Sequence, residues 1–226
     1  MSTSVQATQL PPLDVGKALY ELFNEVIIGT AYLSMAKSLA AASKSSPIIM
    51  RVSPHFFGMT TNAHLESAQL YAAKLFDEHD DCASIPWLLK QAKNRPHEFK
   101  NRPTSELDSA IRESEQVCAA KASVLVALRH RRDRWLAHLD RKTVRDPAQF
   151  SQDAKLTHPE LEDLFDAATH VLNLMADLHG VPGFLIGGED YDDFSRTLEL
   201  IEKGVQANAR ELEERIGPCP EFSEEK

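Results

Sequence analysis

Apolar residues recur every three or four positions along most of this chain, and sustained alternation at every second position is absent. That spacing predicts helices rather than strands. Asp14 is placed to cap a first helix running to about residue 43, with Leu19, Leu22, Phe23, Val26, Ile27, Leu33 and Leu39 on its apolar side. Ser46-Pro47 interrupts it, and Ser53-Pro54 can open a second helix because proline suits the first helical position. This second helix is expected to reach Asp77, burying Leu65, Ala68, Leu70, Tyr71, Ala72, Leu75 and Phe76. A short third helix follows over 85–93, then a connector over 94–103 containing Pro96 and Pro103.

A long fourth helix is expected from Thr104 or Ser105 to residue 139, opened by a capping box at Ser105 and Asp108. Leu107, Ile111, Cys118, Val124, Leu125, Leu128, Trp135 and Leu139 form its buried stripe. Residues 141–157 are polar and read as a surface loop. Pro159 starts a fifth helix that stops at His179-Gly180, ahead of Pro182. A Gly-rich loop over 181–190 leads into a last helix from about Asp192 to Ile216. Nothing requires a sheet. The expectation is an all-α antiparallel bundle in a single domain over 13–216, with a loose N-terminus at 1–12 and a loose acidic tail at 217–226.

Length and composition narrow the classes. A chain of 226 residues can bury a core without disulfides or a structural metal. Cys82, Cys118 and Cys219 are odd in number and widely spaced, which supports neither a disulfide framework nor a zinc ribbon. The apolar stretch 26–42 carries Gly29, Thr30, Ser34, Lys37 and Ser38, and falls short of the ~20 predominantly apolar residues of a spanning helix. It reads as a buried helix. The first thirteen residues lack the basic start and apolar core of a secretory signal. A reduced cytoplasmic protein without a membrane span is expected.

Charge singles out one stretch. The chain carries −9, yet residues 121–146 hold eight Lys/Arg against three Asp, a local +5 that leaves −14 for the rest. A basic block on an acidic chain is a candidate phosphate-binding surface. The same arginines near a helix C-terminus can also simply complement its dipole. Within the block, Arg132-Asp133 is followed by Ala137-His138 and Asp140, giving the frame R-D-x-x-x-A-H-x-D. This resembles the R…H signature of the HEPN superfamily, and in particular its U-type abortive-infection (Abi) branch. Leu75-Phe76-Asp77 ahead of a short Leu-rich helix, Ile85-Pro86-Trp87-Leu88-Leu89, matches a second feature of that branch.

The resemblance implies a HEPN-like bundle whose long helix carries the motif. It also implies a metal-independent endoribonuclease, acting as a toxin or phage-defence effector. His138 would be the general acid/base, Arg132 the phosphate clamp and Asp133 an orienting group. Arg131, Arg134 and Arg141 would add attraction for RNA. The partners implied are RNA, a second copy of the chain in a homodimer, and an antitoxin protein. No metal and no cofactor are called for. The alternative is a non-catalytic HEPN module that binds RNA, a nucleotide or a partner protein.

The chemistry suits these side chains. Imidazole titrates near neutrality and can move protons, while a planar guanidinium can hold two phosphate oxygens. On a regular helix, however, Arg132 and His138 are about 120° out of phase. Arg131 and Arg134 lie nearer the histidine's face. A stripe of Asp166, His170, Asn173 and Asp177 on the fifth helix raises a metal site as another candidate. No Glu has a His three residues later, so the stripe lacks the signature of a di-iron bundle and reads as a solvated face.

Overall fold

The computed structural model describes residues 13–45, 53–136, 141–146, 148–149, 152, 154–183 and 192–216. The expected loose ends at 1–12 and 217–226 lie outside the described residues, as does most of the Gly-rich loop. The elements are α1 (Val15–Ser45), α2 (Pro54–Leu75), α3 (Ile85–Asn94), a 3₁₀ turn (Pro96–Glu98), α4 (Thr104–Ala120), α5 (Ala122–Arg131), a π-helical turn (Arg132–Leu136), the short α6 (Arg141–Arg145), α7 (His158–His179) and α8 (Asp192–Ile216). Among the described residues there is no strand, and the fold is an all-α helical bundle, as expected.

Pairwise contacts give the directions. Along α1, Glu25 meets Lys74, Tyr32 stacks on Tyr71 and Leu39 clusters with Phe57, so α2 runs antiparallel to α1. Lys37 pairs with Glu162, and Gly16 lies against His179, so α7 is antiparallel as well. Glu113–His170 and Lys121–Asp163 align α4 with α7 in the same way. α1 is the centre of this arrangement. By length and composition alone α1 is able to cross a membrane; its inward face, Val15, Leu19, Phe23, Val26, Leu33 and Ala36, is almost fully covered by protein.

One glycine sets how closely these helices approach. A Cβ at Gly29 would fall 2.5 Å from the Phe165 ring and 2.9 Å from the Tyr71 Cβ. Only a residue without a side chain lets α1, α2 and α7 meet there.

Helix ends follow local chemistry. The Asp14 carboxylate accepts from the Lys17 amide at 2.8 Å, which is the expected cap. Ser84 caps α3 by accepting from the Trp87 amide. Thr157 and Glu160 form a reciprocal capping box on α7, and Gly180 closes that helix with φ 86°. The box expected at Ser105 is not formed: Pro103 stands at the N-cap of α4 and no side chain caps it. The surface loop expected over 141–157 contains the short α6.

The expected single fourth helix is also corrected. It breaks at Lys121 (φ −100°, ψ 8°), whose amide bonds Cys118 O and whose ammonium meets Asp163 at 2.9 Å. The inward positions Leu107, Ile111, Ser114, Cys118, Lys121, Leu125 and Leu128 alternate steps of four and three, a 3.5-residue average. A straight α-helix drifts by about 20° per heptad from such a repeat. The break lets both halves keep the same face toward the core.

Candidate functional site: the arginine end of the α4–α5 seam

Continued past Leu128, the same register reaches Arg132 after four residues, and Arg131 follows the parallel row Ala110, Val117, Val124. Two arginines therefore take positions that hydrophobic residues fill earlier in the seam. Their heads turn to different partners. Arg131 Nε donates to Gln69 Oε1 at 2.8 Å, and its Nη1 donates to the Ala154 carbonyl at 3.3 Å. Gln69 is only 1% exposed, although the apolar pattern favoured Leu70, which faces outward. Partial burial pulls the Arg131 pKa below its ordinary value, against the opposing effect of nearby Glu66.

Arg132 reaches the segment just past the C-terminus of α2. Its Nε donates to Asp133 Oδ1 at 2.7 Å and its Nη1 to Asp77 Oδ2 at 2.8 Å. The Asp133 hydrogen bond raises the Arg132 pKa most. Partial burial works against it, and the charges of Asp133 and Asp77 add to the rise. Gln69 lies within the last two turns of α2, whereas Asp77 lies two residues beyond its end. The two neighbouring arginines thus hold the end of α5 at two separate points, one on α2 and one on the segment after it.

Asp77 is itself held from several sides. The Ser84 hydroxyl, fully buried, donates to the Asp77 carbonyl at 2.6 Å. The His79 amide donates to Asp77 Oδ1 at 3.0 Å, leaving Oδ2 for Arg132. The Leu75-Phe76-Asp77 element and the cap of the next helix therefore form one device that presents a carboxylate to the motif arginine. Sequence reading noted this element without giving Asp77 a role. Extending the seam register past Leu128 would have turned Arg132 inward, but its partner Asp77 is set by tertiary packing.

A cavity of about 270 Å³ opens beside Arg132. Its floor is Ala73, Phe76, Leu125 and Leu128, and its rim includes Asp77, Glu78, His79, Arg129 and Arg132. Arg129 Nη2 bonds Glu78 Oε1 at 2.8 Å across that rim. The cavity adjoins a further recess lined by Pro86, Cys118, Ala122 and Val126. Burial, with help from Glu115, pushes the Cys118 thiol up to about 11, so that thiol is not a nucleophile at neutral pH.

The remaining expected site residues divide. His138, with Ala137, Leu139 and Asp140, lies outside the described residues. Asp133 is exposed and bonded to Arg132. Arg134 is half-buried and Arg141 exposed, and neither has a hydrogen bond or ion pair with another described residue. The π turn begins at Arg132, so the uniform 100° projection from Arg132 toward the histidine does not apply beyond that residue. On α7, His170 bonds Glu113 and Asp177 pairs with Arg102. Among the described residues, no group of three or more His, Cys, Asp or Glu converges as metal ligands would.

Comparison with known proteins agrees with this architecture. The HEPN family AbiU2 matches residues 13–197, which span the bundle from α1 to the first residues of α8. No curated protein and no solved structure matches the chain.

Proposed function

The chain belongs to the AbiU2 family of HEPN proteins, and from that premise we propose that it is a metal-independent endoribonuclease acting as an abortive-infection or toxin effector. The observation that carries the reading is the fixing of Arg132 by two carboxylates at the lip of a cavity. A merely solvated arginine needs no such support. A guanidinium held in place pays little reorganisation when charge develops on a phosphate beside it.

In the reaction, the RNA 2′-oxygen attacks the adjacent phosphorus and loses its proton to an imidazole. The bond from phosphorus to the 5′-oxygen breaks, and that oxygen takes a proton from an imidazolium. The products are a 2′,3′-cyclic phosphate and a free 5′-hydroxyl. His138 is the proposed acid/base. Arg132 stabilises the phosphorane through the part of its fork not held by carboxylate. Asp133 and Asp77 orient it, and Arg134 and Arg141 add long-range attraction. Arg131 is engaged with Gln69 and Ala154, which supports a bracing role for it. Pairing of two copies would bring two such sites together.

The test is incubation of the full chain with total RNA and tRNA, with and without EDTA, beside His138→Ala and Arg132→Ala. EDTA-resistant cleavage leaving cyclic phosphate ends is expected. Arg132→Ala should lower it about 10²–10³-fold. Intact RNA, or cleavage unchanged in His138→Ala, overturns the reading.

A second reading has its own support. On the cavity rim each arginine is already matched by a carboxylate, Arg129 by Glu78 and Arg132 by Asp77. That balance suits a binding module as well as an enzyme. RNA affinity that falls with salt, without any cleavage, would favour it.

A further inference from the structure

The cavity beside Arg132 is nearly neutral, and this limits what it can hold. Its two arginines and the carboxylates that face them pair at 2.8 Å each. A phosphate gains little from entering such a space, whereas a flat neutral group with a hydrogen-bonding edge does. The partly exposed Leu125 gives the floor its apolar surface, behind which Phe76 and Leu128 are almost fully buried. In RNA the neutral, flat part next to each phosphate is the base. A phosphate against Arg132 would therefore place a neighbouring base at the mouth of this cavity.

The rim then discriminates among bases. Glu78 and Arg129 set two acceptor oxygens beside a fork of donors. Guanine carries the matching groups around its perimeter: N7 and O6 accept on one edge, and N1–H and N2–H donate on the adjoining edge. Arginine bonds guanine O6 and N7 in a bidentate manner, and a carboxylate accepts from the two adjacent N–H groups. Adenine and cytosine offer one amino group, and uracil a single ring N–H, so each leaves part of the rim unpaired. Both rim side chains are well exposed, at 66% for Glu78 and 44% for Arg129, so their own ion pair is weak enough to open for a base edge.

We propose that this cavity is a guanine subsite, with Arg129 and Glu78 reading the base next to the phosphate at Arg132. The inference rests on the ribonuclease reading for RNA as the ligand, and its test uses binding as well as cleavage. Guanosine 3′-monophosphate and uridine 3′-monophosphate are titrated into the full chain by calorimetry. The guanosine nucleotide should bind about tenfold tighter. Glu78→Gln should erase that advantage, so that the two nucleotides bind with equal affinity. Because Glu78 is a surface residue, the variant folds, and its unfolding midpoint serves as a check. In parallel, cut sites on a defined RNA should lie beside guanosines in the wild type and scatter in Glu78→Gln.

Equal affinities, no binding of either nucleotide, or a guanine preference that survives Glu78→Gln would overturn the subsite. Guanine-selective binding without RNA cleavage would keep the subsite and remove the ribonuclease. Cleavage with no base preference, alongside equal nucleotide binding, would do the reverse.

Discussion

The seam formed by α4 and α5 is closed by hydrocarbon at one end and by guanidinium groups at the other, although one register runs through both. At the first end Leu107 and Ile111 are 2% and 5% exposed. At the second, Arg131 and Arg132 take the next inward positions and find Gln69 and Asp77 instead of apolar partners. The difference lies in what satisfies each position. Leucine needs only cover, so its neighbours are interchangeable apolar groups. A half-buried guanidinium needs oriented acceptors, so Gln69 and Asp77 are specified by chemistry as well as by size. A site emerges where a core register continues but its residue type changes.

The largest effect expected along this seam comes from its last hydrocarbon. Leu128→Ala removes a side chain 2% exposed, next to the first arginine, and should cost about 2–5 kcal/mol in urea unfolding. A loss well under about 1 kcal/mol would mean that the core has already opened before Arg131. The next effect distinguishes bracing from catalysis. Arg131→Ala strands the buried Gln69 amide and should cost about 1–3 kcal/mol. Arg131→Lys should rescue little, because an ammonium lacks the fork that reaches both Gln69 and Ala154. The pair Arg131→Met with Gln69→Leu should recover most of the loss, since removing both partners leaves nothing unsatisfied. If that double variant folds and still cleaves RNA, Arg131 is a brace. If it folds but cleavage disappears, Arg131 returns to the phosphate.

Most of the helical layout was legible in the sequence, because apolar spacing of three and four residues persists wherever a helix packs on α1. The Asp14 cap, the start of α3 after Ser84 and the stop at Gly180 follow from residue types with few alternatives. What escaped were positions where polarity and burial part company. Gln69 lies inward and Leu70 outward because Arg131 arrives from another helix, and local pattern carries no record of that. The motif arginine and histidine could be named from their order, whereas the Asp77 contact spans 55 residues and depends on tertiary packing.

Capping boxes show the same limit. Ser105-x-x-Asp108 has an acidic residue with a short reach, and Pro103 took the N-cap. Thr157-x-x-Glu160 has the longer side chain that reaches back to the Thr157 amide at 2.7 Å. Thr157→Ala should cost about 1 kcal/mol at pH 7. The hydrogen bonds from Thr157 hold the Glu160 pKa below its usual 4.5. Their contribution is therefore present above that value and lost as pH falls through the lower folded one. The gap between wild type and Thr157→Ala should narrow in acid, and a gap that widens would contradict the box.

The smallest effect in stability carries the most information about the site. Arg132 and Asp77 are 29% and 25% exposed, so water screens their ion pair. A double-mutant cycle of Arg132→Ala with Asp77→Asn should give a coupling in unfolding free energy of only about 0.5–1 kcal/mol. The same cycle in RNA cleavage should give a larger coupling, because Asp77→Asn releases the guanidinium from the direction in which it meets the phosphate. Asp77→Asn should lower kcat with KM little changed, and should have almost no further effect once Arg132 is gone. Equal couplings in stability and cleavage would make the pair a piece of the scaffold, no different in kind from the leucines that precede it on the seam. A kinetic coupling that exceeds the stability coupling separates the two ends of the seam by function as well as by chemistry.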